Sequence, residues 1–228
     1  MEGQLQQRKW LIPVVVPLIL FMLFNSFYSV PLLRRSMIQE KERQIKDLTY
    51  MGISILDHFY SMEEAGQLSR RDAQMHAMSL VQDLRFGPEG RDYYWINDFE
   101  PKILVHPFRR DLEGVNLNTG QDGEYQELFQ SFVEIAENQG EGYIEYEWQY
   151  YDDQDRMEPK MSYVKDFEPW GWIIGTGLYL DDVEKAAQSQ RNIIFIFILT
   201  GLQVLLAAGV IYKIIDNKRK QTWCDIDE

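Results

Sequence analysis

Six side chains in this sequence have the chemistry to build a polar pocket with aromatic walls: Arg85, Tyr93, Trp95, His106, Lys160 and Tyr163. Arg85 and Lys160 donate charge-assisted hydrogen bonds, the first as a bidentate fork and the second as a point charge. Tyr93, Trp95 and Tyr163 add hydroxyl or indole donors on large apolar bodies. Each has a plainer role open to it. Arg85 falls in the last turn of an expected helix, where the dipole favours a cation. Lys160 could begin a solvated strand, although it sits inside a hydrophobic motif. Trp170 and Trp172, around Gly171, read as core.

The elements that must position these residues centre on Gly87 to Pro107, GPEGRDYYWINDFEPKILVHP. Two aromatic and β-branched runs, Tyr93 to Ile96 and Ile103 to Val105, flank a polar connector with Asp98 and Pro101, the pattern of a β-hairpin. Side chains alternate across a strand, so Tyr93 and Trp95 share one face while Asp92, Tyr94 and Ile96 share the other. One face can pack a core while the other lines a pocket. Further strands are expected at 142–149, 160–166 and 172–179, with a loop from Tyr150 to Pro159.

Helices fill the remainder. Ile45, Leu48, Gly52, Ile55, Phe59 and Met62 recur every three or four residues, one apolar stripe on a long helix from residue 34 to about Gly66. That stripe suits packing on a sheet or a homodimer seam. Ser69 caps a second helix carrying Met75, Met78, Leu80, Val81 and Leu84, stopped by Gly87 and Pro88. A third runs from Tyr125 to Asn138, after an irregular segment at 108–124.

Two stretches, Trp10 to Leu33 and Asn192 to Tyr212, contain no charged side chain, and each reaches the ~20 residues needed to cross a bilayer. The chain therefore divides into an N-terminus at 1–9, a first span at 10–33, a domain at 34–191, a second span at 192–212 and a tail at 213–228. An uncleaved anchor fits the first stretch better than a signal peptide, whose apolar core is shorter. Arg8, Lys9, Lys213, Lys218, Arg219 and Lys220 lie at the outer ends of the spans, which places both termini in the cytoplasm and the domain outside it. If the source is a Gram-negative bacterium, the domain is periplasmic at the inner membrane.

The middle segment holds 31 of the 36 acidic and 17 of the 23 basic residues, a net −14; the ends contribute 6 − 5 = +1, giving the total of −13. This charge argues against nucleic acid as a partner. The single cysteine, Cys224, lies in the tail, so the domain has no disulfide. His58, His76 and His106 are unpaired in spacing and make no zinc motif. Asp152, Asp153 and Asp155 lack the following glycine and glutamate of a calcium loop. Gly175-Thr176-Gly177 lacks the third glycine of a dinucleotide loop. No catalytic constellation, cofactor or metal site is expected.

DYYWIND at 92–98, HP at 106–107, GYIEYEW at 142–148, PKMSYVKDFEPWGW at 159–172 and IGTGLYLDDV at 174–183 stand in the order and spacing of single Cache domains. These are extracytoplasmic sensor modules of bacterial chemoreceptors and histidine kinases, and the resemblance covers about residues 34–190. It implies an α+β fold, a long N-terminal helix on one face of a PAS-like antiparallel sheet, flanked here by two transmembrane helices. It also implies a small-molecule pocket on the other face, often for a short organic acid. His106 enters the pocket on the family position; otherwise it bonds backbone at a strand end. A carboxylate there would be neutralised by Arg85 or Lys160, with Tyr93, Trp95 and Tyr163 around its tail. Tyr93-Tyr94 departs from the commoner Tyr-Phe. A receptor of this kind signals through a missing output domain or a cytoplasmic partner. An acidic docking protein of the membrane is the alternative, distinguished by response to a protein and to salt.

Overall fold

The computed structural model describes residues 12–117 and 123–224. They form two compact units: a sensor unit, Met37–Asp182, and a unit made of the segments up to Ser36 and from Val183. Trp10, Leu11 and residues 1–9 and 225–228 of the expected ends lie outside the described residues.

In chain order the elements are α1 (Ile12–Phe24), a π-helical turn (Asn25–Ser29), α2 (Val30–Glu64), α3 (Arg70–Asp83), β1 (Arg85–Phe86), β2 (Asp92–Asp98), β3 (Ile103–Val105), α4 (Gly123–Gln139), β4 (Glu141–Tyr150), β5 (Asp153–Phe167), β6 (Trp172–Tyr179) and α5 (Asp181–Cys224). The strands pair antiparallel in the order β1-β2-β6-β5-β4, and β3 also pairs with β2. This is the expected α+β architecture, an antiparallel sheet with a long helix on one face.

The face toward α2 is closed by residues of one parity. Tyr94 and Ile96 from β2 and Ile174 from β6 meet Ile53 and Leu56 of α2 and Ala73, Ala77 and Val81 of α3. The Tyr94 hydroxyl donates to the Leu48 carbonyl (2.9 Å). Gly52 permits this close approach, since a Cβ there would lie 2.8 Å from Ile174 Cδ1. Ser69 caps α3 as expected, accepting from the Asp72 amide. The buried side of that helix, however, is the alanine-valine row, and Met75 and Leu80 are exposed. At the sheet's far edge Glu141 accepts from Lys46 (3.0 Å) and Tyr50 (2.6 Å) of α2 and from Lys165 (3.1 Å) of β5. Burial pushes its carboxyl up, but these bonds outweigh it and hold it at about 2.

On the opposite face α4 covers Trp95, Val164, Ile173 and Trp148 with Phe129, Phe132, Val133 and Ala136. Trp95 lies flat over Gly175, its register partner on β6. A Cβ there would stand 2.3 Å from the indole. Gly175→Ala is therefore expected to destabilise the domain by about 1–3 kcal/mol through overpacking, read as a lowered Tm with the fold retained by circular dichroism.

Three boundaries differ from those expected. The stretch read as a loop, Tyr150 to Pro159, is a continuation of the β4-β5 ladder, closed by a two-residue turn at Tyr151 and Asp152. Its aspartates argue against a strand, yet they sit on an exposed extension where only backbone pairing is needed. Tyr151 takes a left-handed φ of 55°, a local strain held by its hydroxyl bond to Asp92 (2.9 Å) and by Arg91 stacked at 4.3 Å. Arg85 lies beyond the end of α3, in β1, paired with Tyr93. The segment after Pro107 buries Leu112 and Leu117 in the second core.

Among the described residues one uninterrupted helical segment, Val183–Tyr212, is long and apolar enough to cross a membrane. The first apolar stretch is α1, 13 residues, followed by the π turn, in which Asn25 Nδ2 donates to the Phe21 carbonyl (2.9 Å).

Candidate ligand-binding site

The face under α4 also carries a polar cluster, placed by strand register. Lys160 of β5 stands between its partners Tyr146 on β4 and Tyr179 on β6, so all three project to the same side. Tyr93 and Trp95 come from β2, Trp148 from β4, and His106 from the chain leaving β3. The Lys160 Nζ is 3.9 Å from the centroid of the Tyr93 ring, 5.1 Å from Tyr179 and 5.7 Å from Trp95. The His106 ring lies 5.1 Å from Tyr93 and 5.5 Å from Trp148.

Lys160 is 1% exposed, Tyr93 1%, His106 2% and Trp148 2%. Among the described residues, Lys160 Nζ, Tyr93 Oη, His106 Nδ1 and Trp148 Nε1 are buried polar atoms with no hydrogen-bond partner in the chain. Such a group costs about 1–3 kcal/mol, more when charged, unless a ligand or ordered water completes it. The electrostatics follow from burial. It pulls the Lys160 ammonium from 10.5 down to about 7, against a weaker opposing pull from Asp92. Burial, then Lys160 and Arg109, hold the His106 imidazole well below 6.5, so the ring is neutral. The Tyr93 phenol is pushed well up, mainly by burial, with Trp148 and Tyr179 close beside it.

The cluster thus presents one ammonium, one phenol and one indole as donors, and a neutral imidazole that can donate from either nitrogen. A carboxylate offers two oxygens with about four lone-pair sites, a direct match in number and charge. The same set is poorly suited to binding a cation, since none of the four is an anionic acceptor.

Of the six residues picked from sequence, the structure brings together Tyr93, Trp95, His106 and Lys160. Arg85 stands apart: it is exposed and donates to the carbonyls of Gln82 and Leu84 (both 2.7 Å) at the end of α3. Its guanidinium is 5.8 Å from the Phe108 ring, and Phe108 in turn packs against Tyr93. Tyr163 is an odd number of positions from Lys160 and faces α2, with its ring 4.5 Å from Tyr143 and 5.1 Å from Lys46 Nζ. Trp148, Tyr146, Tyr179 and Arg109 were not singled out. The first two share the alternation of GYIEYEW, and aligning β4 on β5 at Lys160 exposes them. Tyr146 bonds Ser162 (3.0 Å) beside Lys160, and Gly177 leaves room for that pair.

A non-catalytic sensor module is the class of protein that this sheet, helix and buried donor set define. Residues 29–202 match the Cache domain family, and the chain belongs to it. Over 216 residues, 92% of its length, the chain is 32% identical to the methyl-accepting chemotaxis protein McpP of Pseudomonas putida, of which it covers 38%. It is 26% identical over 204 residues, 84% of its length, to the sensor histidine kinase MctS of Rhizobium johnstonii, of which it covers 43%. The chain therefore spans about two fifths of these curated relatives. Among solved structures, a Cache chemosensory domain described for carboxylic acid recognition is 31% identical with a TM-score of 0.58, covering 64% of this chain and 97% of that one.

Proposed function

We propose that the chain is a membrane-anchored receptor that binds a short carboxylic acid outside the cytoplasm at Lys160 and signals through α5. The observation that carries this reading is a buried ammonium, Lys160 Nζ, 3.9 Å from the Tyr93 ring in one aromatic cluster with three further buried polar atoms that have no hydrogen-bond partner among the described residues, Tyr93 Oη, His106 Nδ1 and Trp148 Nε1. The carboxylic acid named for the solved Cache relative supports the ligand class. The chemoreceptor and histidine kinase among its relatives support an output in chemotaxis or two-component signalling, through further sequence or a partner.

Two spans belong to the same proposal. Helical backbone continues from Ile12 through the π turn to Leu33, and these 22 residues at ~1.5 Å each reach about 33 Å, enough for a bilayer core. The basic residues at the outer ends favour cytoplasmic termini. Tyr179, whose ring lies against Lys160, ends β6 two residues before α5 begins at Asp181. Its carbonyl accepts from Lys41 of α2 (3.1 Å), so a change at Lys160 has a short path to both helices. A homodimer would use the outward side of α2, where Tyr50 and Met51 are 42% and 63% exposed.

The test is the thermal stability of the full chain in detergent with acetate, propionate or pyruvate, against propionamide as an uncharged match. A carboxylate at 100 times its Kd should add about 2.7 kcal/mol, and the amide nothing measurable. Melting unchanged by every acid would reject the reading.

A further inference from the structure

We propose that Asp111 restricts the site to monocarboxylates by holding the charge of a second cation, Arg109, that borders it; the inference rests on the carboxylate reading above. Arg109 is 8% exposed and follows His106 by three residues, its amide donating to the His106 carbonyl (3.2 Å). The guanidinium lies 4.7 Å over the Tyr125 ring, which packs 5.3 Å from Trp148, and Nη1 reaches Gln149 Oε1 at 3.5 Å. It is close enough to His106 to act on it electrostatically, as Lys160 does. The imidazole is thus neighbour to two cations of opposite status. Lys160 Nζ has no hydrogen-bond partner among the described residues, whereas Arg109 is gripped by Asp111 through Nε (3.0 and 3.1 Å) and Nη2 (2.7 Å).

The Asp111 side chain is 57% exposed, so Arg109 stands between the buried cluster and a carboxylate at the solvent side. An acid with one carboxylate satisfies Lys160 and leaves this pair untouched. An acid with two would need its second carboxylate to displace Asp111 from the fork, or to lie beside it as a like charge. Either route penalises the diacid, which is specificity by repulsion. Asparagine at 111 has the same shape, no charge and one fewer acceptor. Arg109 then has an open bidentate face of the kind that suits a carboxylate.

The experiment is calorimetric titration of the full chain in detergent, wild type and Asp111→Asn, with propionate and with malonate, succinate and glutarate to cover the reach. Wild type should bind propionate and take each diacid at least about tenfold more weakly, the ratio set by one charge pair. Asp111→Asn should keep propionate within about threefold and bind at least one diacid about tenfold or more tightly than wild type does. Adding Arg109→Met to Asp111→Asn should erase that gain while propionate still binds. Retained propionate binding in Asp111→Asn with no gain for any diacid would overturn the proposal, as would a wild type that does not discriminate. A wild type that binds none of these acids would fail earlier, at the carboxylate reading itself.

Discussion

Lys160→Met is expected to abolish carboxylate binding and to make the unliganded domain more stable. Methionine keeps the length and apolar stem of lysine, so the cage of Tyr93, Trp95 and Tyr179 remains filled. What disappears is the one buried cation that has no hydrogen-bond partner among the described residues. Truncating a buried, hydrogen-bonded charge pair costs about 2–5 kcal/mol, so affinity should fall on the order of 100-fold or more. Without ligand the sign reverses, because replacing a buried charge by a well-packed apolar group is worth about 1–4 kcal/mol. Calorimetry and a melting curve on the same sample give both numbers. Arg85→Met, on the exposed strand β1 just beyond α3, should leave affinity within about twofold, as an ordinary surface change does. A Lys160→Met protein that binds normally, or that melts lower, would show that the ammonium is not the recognition group.

Affinity for a monocarboxylate should be level below about pH 7 and fall as pH rises above it, approaching tenfold per pH unit. The sign follows from Lys160. Its ammonium titrates at about 7 in the free site because burial disfavours the charge, and a bound anion favours it. Below that pH the cation is already present. Above it, binding must also recruit a proton, until the pH passes the raised value of the occupied site. The acid itself is ionised throughout, and His106 is neutral, so neither adds a transition in this window. Folding stability of the free domain moves the other way. The cost of burying the charge is fully present below about 7 and lifts as pH climbs toward the unfolded 10.5. Titrations from pH 6 to 9 in buffers of different ionisation heat would reveal the proton uptake directly. An affinity that does not change across this range would place the charged lysine outside the binding equilibrium.

The hairpin of β2 and β3, the Ser69 cap and the split of Tyr93 and Trp95 from Tyr94 and Ile96 were all legible, because period-two and capping patterns are local. Lys160 stood out for the same reason, a cation inside an apolar run. Counting parity along that run would have excluded Tyr163, which lies three positions on. Trp148, Tyr146 and Tyr179 needed the register of three strands, which no single stretch contains. Arg85 was misplaced by the end of α3: the helix stops at Asp83, and the guanidinium turns back to its carbonyls. Arg109 lay in a segment with no periodicity, and only the tertiary fold shows it buried against Tyr125. Within the connector expected at 150–159, the two-residue turn at Tyr151 and Asp152 was not located, because a left-handed tyrosine gives no glycine or asparagine signal.

The alternation of β5 has a consequence for how such a receptor can change its preferences over generations. Lys160, Ser162 and Val164 point to the side that α4 covers, while Met161 and Tyr163 point to α2. The proposed recognition face and the helix interface thus occupy interleaved positions of one strand without sharing a side chain. On the proposed reading, substitutions at one parity would retune what is sensed, and those at the other how firmly the helix is held. If Lys160 binds the ligand and α2 carries the signal, as proposed, ligand preference and signalling gain would be separately mutable in this scaffold, an arrangement that would let a duplicated gene acquire a new stimulus while keeping its inherited output.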